Sequence, residues 1–194
     1  ACARQIIDDK TRPQDIWCHW PDHSVIAGVD VIRRSLVDTR NYIGEPTATM
    51  FRRTQSGRGF NVYYHQIVDL EMWFHLLEQG SMAYIAEPLC AFRIHPHQQT
   101  VAARAQALDV LDQQRLFSEY LGNPAYRFTP EEQWFMGYRL IRQFQRRARR
   151  TGEGRNLMRT LLQSYGRFRF LLDYPRYRFL KYYLPRRSAP PSRT

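Results

Sequence analysis

A chain of 194 residues, 43% hydrophobic and 24% charged, is long enough for one real core that buries roughly 70% of its unfolded surface, with one domain plus an appendage as the default. Its 10 glycines and 11 prolines exclude collagen-like and low-complexity classes, and a mean hydropathy of −0.58 without a long uninterrupted apolar run excludes a spanning helix. Of the net charge of +11, residues 139–194 carry 16 of the 29 basic residues but only two acids, Glu153 and Asp173, a division that argues against a protein gripping nucleic acid over its whole surface.

In chain order, Ala3 to Ile7 shows little alternation, and Asp8-Asp9-Lys10-Thr11-Arg12-Pro13 after it is turn chemistry that ends a strand. Residues 14–28 read as irregular. Val29, Ile32 and Leu36, with Arg33, Arg34 and Asp38 between them, predict an amphipathic helix over Val29 to Val37. After Gly44-Glu45-Pro46, the β-formers of Thr47-Ala48-Thr49-Met50-Phe51 predict a short strand, and Arg52 to Arg58 a polar loop. Ile67 to Leu77 repeats apolar residues as Val68, Met72, Leu76 and as Trp73, Leu77, which predicts a helix buried on one side and closed by Gly80. Ala83 to Ala86 and Leu89 to Ile94 read as two extended segments broken at Glu87-Pro88. Ala102 to Leu121 and Glu131 to Arg150 have helical composition and period, and Thr129-Pro130-Glu131-Glu132 supplies the second with an N-cap, an N1 proline and acids at its positive end. Gly152 and Gly154 stop it, Asn156 to Leu172 predicts a further helix before Pro175, and Ser188 to Thr194 is expected to be disordered.

Three cysteines, Cys2, Cys18 and Cys90, are too few and odd in number for a disulfide framework, which points to a reducing compartment. Nothing after Ala1 reads as a signal peptide, and the chain reads as a fragment of something longer. The basic residues other than Lys10 and Lys181 are all arginine. From Asn156 to Arg187 they alternate with aromatic and aliphatic residues, and Arg167, Arg169, Arg176, Arg178 and Lys181 suit a segment lying on an anionic membrane surface. The same residues suit a different class of protein, a non-enzymatic basic helical module that stacks single-stranded nucleic acid on its aromatics.

Four collinear pieces carry a stronger signal. They are Asn41-Tyr42-Ile43-Gly44-Glu45-Pro46-Thr47-Ala48-Thr49-Met50-Phe51-Arg52-Arg53, Gly59-Phe60-Asn61, Val68-Asp69-Leu70-Glu71-Met72-Trp73 running on to Gly80, and Tyr84-Ile85-Ala86-Glu87-Pro88-Leu89 running on to Arg93-Ile94-His95-Pro96. Together they resemble the carboxyl half of the catalytic domain of family 2 glycosyltransferases, inverting enzymes of the GT-A fold that use nucleotide-diphosphate sugars. The resemblance implies an α/β chain: a partial GT-A domain over residues 1–100 lacking its nucleotide-binding half, a mostly α-helical basic extension over 101–187, and a tail over 188–194.

By that resemblance Asp69 is the general base, taking the proton of the acceptor hydroxyl as it attacks the anomeric carbon. Pro46, Thr47, Trp73 and Arg93 match donor and acceptor contacts, and His95 matches a residue near the metal-bound pyrophosphate. The cofactor implied is a divalent metal, Mn²⁺ or Mg²⁺, held mainly by the half not present here. The partners implied are a nucleotide-diphosphate sugar and a saccharide or lipid-linked acceptor, at the cytoplasmic face of a bacterial membrane. Val68 and His75 depart from the family, which usually has Glu and Arg there. Asp8-Asp9 imitates the family's metal motif but lies too late in the order of elements, so it reads as a turn. Cys18-His19 with His23 matches no zinc spacing and reads as a loop around Trp17 and Trp20.

Overall fold

The computed structural model describes residues 1–96, 98 and 108–148. Its elements, in chain order, are β1 (Cys2–Ile7), β2 (Pro13–Trp17), β3 (Ser24–Ala27), α1 (Gly28–Asp38), α2 (Val68–Leu77), β4 (Ser81–Arg93), α3 (Leu108–Leu121) and α4 (Pro130–Ala148). The fold is mixed α/β, with a sheet in the order β2-β1-β4-β3. β1 runs antiparallel to β2 and parallel to β4, and β3 is antiparallel to the start of β4. An interior strand covered on both faces needs no polar side. That is why the buried run of β1 shows so little alternation.

The turn expected after β1 is present, with Asp8 Oδ1 accepting the backbone N–H groups of Lys10 and Arg12 at 2.9 Å each. Residues 14–28, in contrast, are not irregular, since all but the first residue of β2 and the whole of β3 lie within them, at the two edges of the sheet. Strands of five and four residues, one almost wholly exposed, carry too little periodicity to announce themselves. The two segments expected after Gly80 are one strand of 13 residues. Pro88 sits opposite Ala3, between two register shifts in the β1–β4 pairing, and such irregularities tolerate a residue without an N–H. Thr47 to Phe51 forms no strand. Pro46–Ala48 is a 3₁₀ turn instead, closed by the Thr49 N–H and hydroxyl on the Pro46 carbonyl, because β-propensity yields to context where no neighbouring strand is offered.

In α1 the buried stripe is Val31, Ile32, Ser35 and Leu36, while Val29 is exposed. α2 is not one-sided: Leu70, Glu71, Met72, Trp73 and Phe74 are buried in succession, as in a helix packed around much of its circumference. Gly80 closes it less directly than expected. Glu78 continues in right-handed geometry at φ −59°, and the Gly80 carbonyl instead accepts the N–H of Gly28 at 2.9 Å. Gly28 is required there. A Cβ on it would lie 1.9 Å from the Leu77 carbonyl oxygen and 2.4 Å from that of Gly80.

α3 and α4 complete the core. One apolar cluster joins Ala3, Ile32, Trp73 and Phe74 to Val110, Leu116, Phe117, Met136 and Leu140. The N-terminus of α4 has the expected cap as a reciprocal box, with Thr129 Oγ1 accepting from the Glu132 N–H at 3.2 Å and Glu132 Oε2 from the Thr129 N–H at 3.0 Å. Arg33 of α1 pairs with the same Glu132. Among the described residues no helix is long and apolar enough to cross a membrane. The helix expected over Asn156 to Leu172, the tail over 188–194 and the five basic residues Arg167, Arg169, Arg176, Arg178 and Lys181 lie outside the described residues.

Candidate active site

Asp69 is the second residue of α2. The sequence before it, His65-Gln66-Ile67, has no capping side chain, and the N-cap residue Ile67 makes no side-chain cap bond. Two carboxylates serve this end of the helix. Asp69 Oδ1 accepts the N–H of Leu70 at 2.7 Å, and Asp112 of α3 reaches across to accept the N–H groups of residues 65, 66 and 67. Burial pushes the Asp69 carboxyl up to about 6, the Leu70 N–H works against that rise, and the charge of Glu45 adds to it.

Glu45 is fixed by Arg4, whose guanidinium lies 3.0 Å from its carboxylate. Arg4 is 2% exposed although it belongs to the interior strand β1, so its charge needs partners within the protein. It also donates to His19 Nε2 at 2.7 Å. Burial, reinforced by the positive charges of Arg4, Arg40 and Arg34, holds His19 down at about 3, so its ring is neutral.

The loop leading into Glu45 is bound twice. Asn41 Oδ1 accepts the N–H groups of Ile43 and Gly44 at 2.9 Å each, and the Gly44 carbonyl accepts from Trp73 Nε1 at 2.8 Å. Gly44 sits at φ +135°, where L side chains are rare, and a Cβ on it would lie 2.3 Å from Arg4. Beyond this loop Pro46 and Thr47 are exposed. Trp73 is buried, and offers no face to solvent. The rings beside it do: Phe51 and Phe60 lie 5.6 and 6.3 Å from the Trp73 ring and are 40% and 48% exposed. The result is a half-buried carboxylate on the helix that also carries Trp73, whose ring anchors an open apolar shelf.

Trp73 is tied to the loop that leads into Glu45, Pro46 and Thr47, and the charge of Glu45 acts on Asp69, while Arg93 makes its side-chain contacts at the β1–β2 turn. It donates there to the carbonyls of Asp8 and Asp9 at 2.9 and 3.2 Å and to Thr11 Oγ1 at 3.1 Å. The backbone carbonyl of His95 accepts from Gln98, and among the described residues no group of three His, Cys, Asp or Glu side chains could hold a metal ion. Cys18, His19 and His23 diverge, with Cys18 Sγ on the Trp20 carbonyl, His19 on Arg4 and His23 beside Glu87. On the opposite side of α2, Glu71, His75 and Glu78 line a recess with Arg58, Glu119 and Tyr120. Glu71 is paired there with Arg58 at 3.0 Å, and Glu78 accepts from the Tyr126 hydroxyl.

Arg4, His19, Glu45 and Asp112 were not legible as site residues. Arg4 alone left a trace, as the one charged residue of β1. Asp112 left none, because its partners lie 45 to 47 positions away.

No protein-family profile matches the chain, and no solved structure matches it. An uncharacterized protein of Mycobacterium tuberculosis is 33% identical over 86 residues, which is 43% of this chain and 27% of the relative. The chain thus covers little more than a quarter of that protein's length.

Proposed function

We propose that this chain carries the acceptor side of an inverting glycosyltransferase centre of the family 2 kind, with Asp69 as general base. One observation supports it above the others: the acid singled out by the motif is half-buried at a helix start and held at about 6. A carboxylate with that value is ionised at neutral pH yet more basic than an exposed one, which suits a base that must take a hydroxyl proton. The acceptor oxygen forms its bond to the anomeric carbon from the face opposite the nucleoside diphosphate. That leaving group departs with the electron pair of the broken C–O bond, and the hydroxyl proton passes to Asp69. Phe51 and Phe60 offer an apolar platform for the flat face of a sugar ring or for a lipid carrier.

A divalent metal belongs to this chemistry in the family. Among the described residues no group of three His, Cys, Asp or Glu side chains could hold it. The donor nucleotide and its metal belong to the other half of such a domain. In the complete enzyme, Asp69→Asn should lower sugar transfer by ~10²–10⁴-fold while leaving nucleotide-sugar binding nearly intact, since an amide matches the carboxylate in shape but takes up no proton. Near-normal turnover in that variant removes the assignment.

A further inference from the structure

We propose that Asp112, on α3, is a positioning residue for Asp69, holding the backbone that enters α2 so that the acid at its second position stays in place. The inference rests on the reading of Asp69 as the base. Asp112 is 3% exposed, and its Oδ2 accepts three successive backbone N–H groups, those of His65 at 2.8 Å, Gln66 at 2.6 Å and Ile67 at 3.3 Å. Consecutive amides converging on one anion form a concave nest that fixes the path of the chain. The anion here is a side chain from a helix more than 40 residues further on, in the region whose composition marks it as an appendage.

The nest stops at Ile67, the N-cap of α2, and Asp69 follows two residues later. Ile67, the N-cap itself, has no hydrogen-bonding side chain, and Asp69 is engaged with Leu70. Removing Asp112 therefore frees the N–H groups of 65–67 together and lets the first turn of α2 fray. Asp69 would then gain water and lose the burial that raises it. His65 Nδ1, 3.6 Å from Asp112 Oδ1 and largely exposed, is the nearby titratable group on the nest side, while Glu45 and the Leu70 N–H are the groups that act on Asp69 itself.

The test uses the full 194-residue chain with ¹³C-labelled aspartate. Carboxyl shifts are followed through a pH titration in the unaltered protein, in Asp112→Asn and in Asp112→Ala, with backbone hydrogen exchange at residues 65–67 and thermal unfolding measured alongside. The expected result is a fall in the Asp69 midpoint of about one pH unit or more in the alanine variant and less in the asparagine variant, which keeps one acceptor oxygen. Exchange at 65–67 should quicken by about tenfold or more. If either variant is less stable but its Asp69 midpoint stays where it was, Asp112 is structural only and the proposal is overturned. If the alanine variant fails to fold, the asparagine variant alone decides. A midpoint near 4 for Asp69 in the unaltered chain is a separate failure, which overturns the reading of the site and this proposal with it.

Discussion

Asp69 and His19 are both displaced by burial, and their effects on stability oppose each other as acid is added. The folded protein holds Asp69 at about 6 against 3.8 when exposed, so the ionised form is disfavoured by folding. Stability should rise as pH falls from about 6 towards 4, by at most about 3 kcal/mol for two pKa units. His19 is held at about 3 against 6.5, so folding keeps it neutral. Its contribution is complete above 6.5 and is lost as pH falls below that value, because the unfolded chain takes up the proton first. Asp69→Asn should therefore raise the melting temperature at pH 7, and below pH 6.5 its stability should fall more steeply than that of the parent. Thermal unfolding at pH 7, 6 and 5 checks both statements. A variant less stable than the parent at pH 7 would show that burial does not strain Asp69. Glu45→Gln acts on the same acid from outside. With one negative charge removed and Arg4 left in place, the Asp69 midpoint should move down, and under the proposed role of Asp69 the acid limb of a sugar-transfer pH–rate profile should move down with it.

Elements here are held to one another by contacts too close to admit side chains. The β3–α1 corner rests on the end of α2, where a Cβ at Gly28 would overlap two carbonyl oxygens. Neither is the free end of a flexible side chain, so Gly28→Ala should cost roughly 2–4 kcal/mol, at or above the usual cost of overpacking. Gly44→Ala combines a left-handed backbone with a clash on Arg4, and in a foldable variant it should loosen the loop bearing Glu45. The α4 cap is a milder case. Thr129→Ala removes one half of the box with Glu132 and should cost about 1 kcal/mol, the usual value for a lost N-cap. Denaturant unfolding of the three variants should therefore rank Gly28→Ala as more damaging than Thr129→Ala, and the reverse order would refute the account of that corner.

Across the whole molecule, charge and packing divide the chain at different places. The excess of arginine begins near residue 139, whereas the core joins β1, α1 and α2 to α3 and α4 without a break. The basic residues beyond the described part are proposed as a membrane-surface segment. At about 1 kcal/mol for each basic residue close to an anionic surface, four engaged arginines give an attraction that salt weakens. The full chain should therefore sediment with anionic vesicles and not with neutral ones, and should be released at high salt. A chain ending before Asn156 should not bind. Equal binding to neutral vesicles, or binding that survives the truncation, would withdraw the membrane reading.

Local chemistry was enough for much of this. The turn at Asp8, helices α1 to α4 and the cap at Thr129 could be read from spacing and composition, because each depends on residues within one or two turns of one another, whereas Asp69 was singled out only by the family resemblance. Neighbours along the chain carry no such record for the remainder. The edge strands β2 and β3 exist because β1 and β4 offer them partners, and β4 stays continuous through Pro88 because a register shift absorbs the missing N–H. Thr47 to Phe51 is a turn and an open shelf despite its strand-like composition, since the loop before it is fastened to Arg4 and Trp73. The charge that acts on Asp69 comes from Glu45, 24 residues before it, and the carboxylate that holds the chain entering its helix comes from Asp112, 43 after it. Desolvation and charge act through space, so the value of that acid was decided only when the chain closed around it.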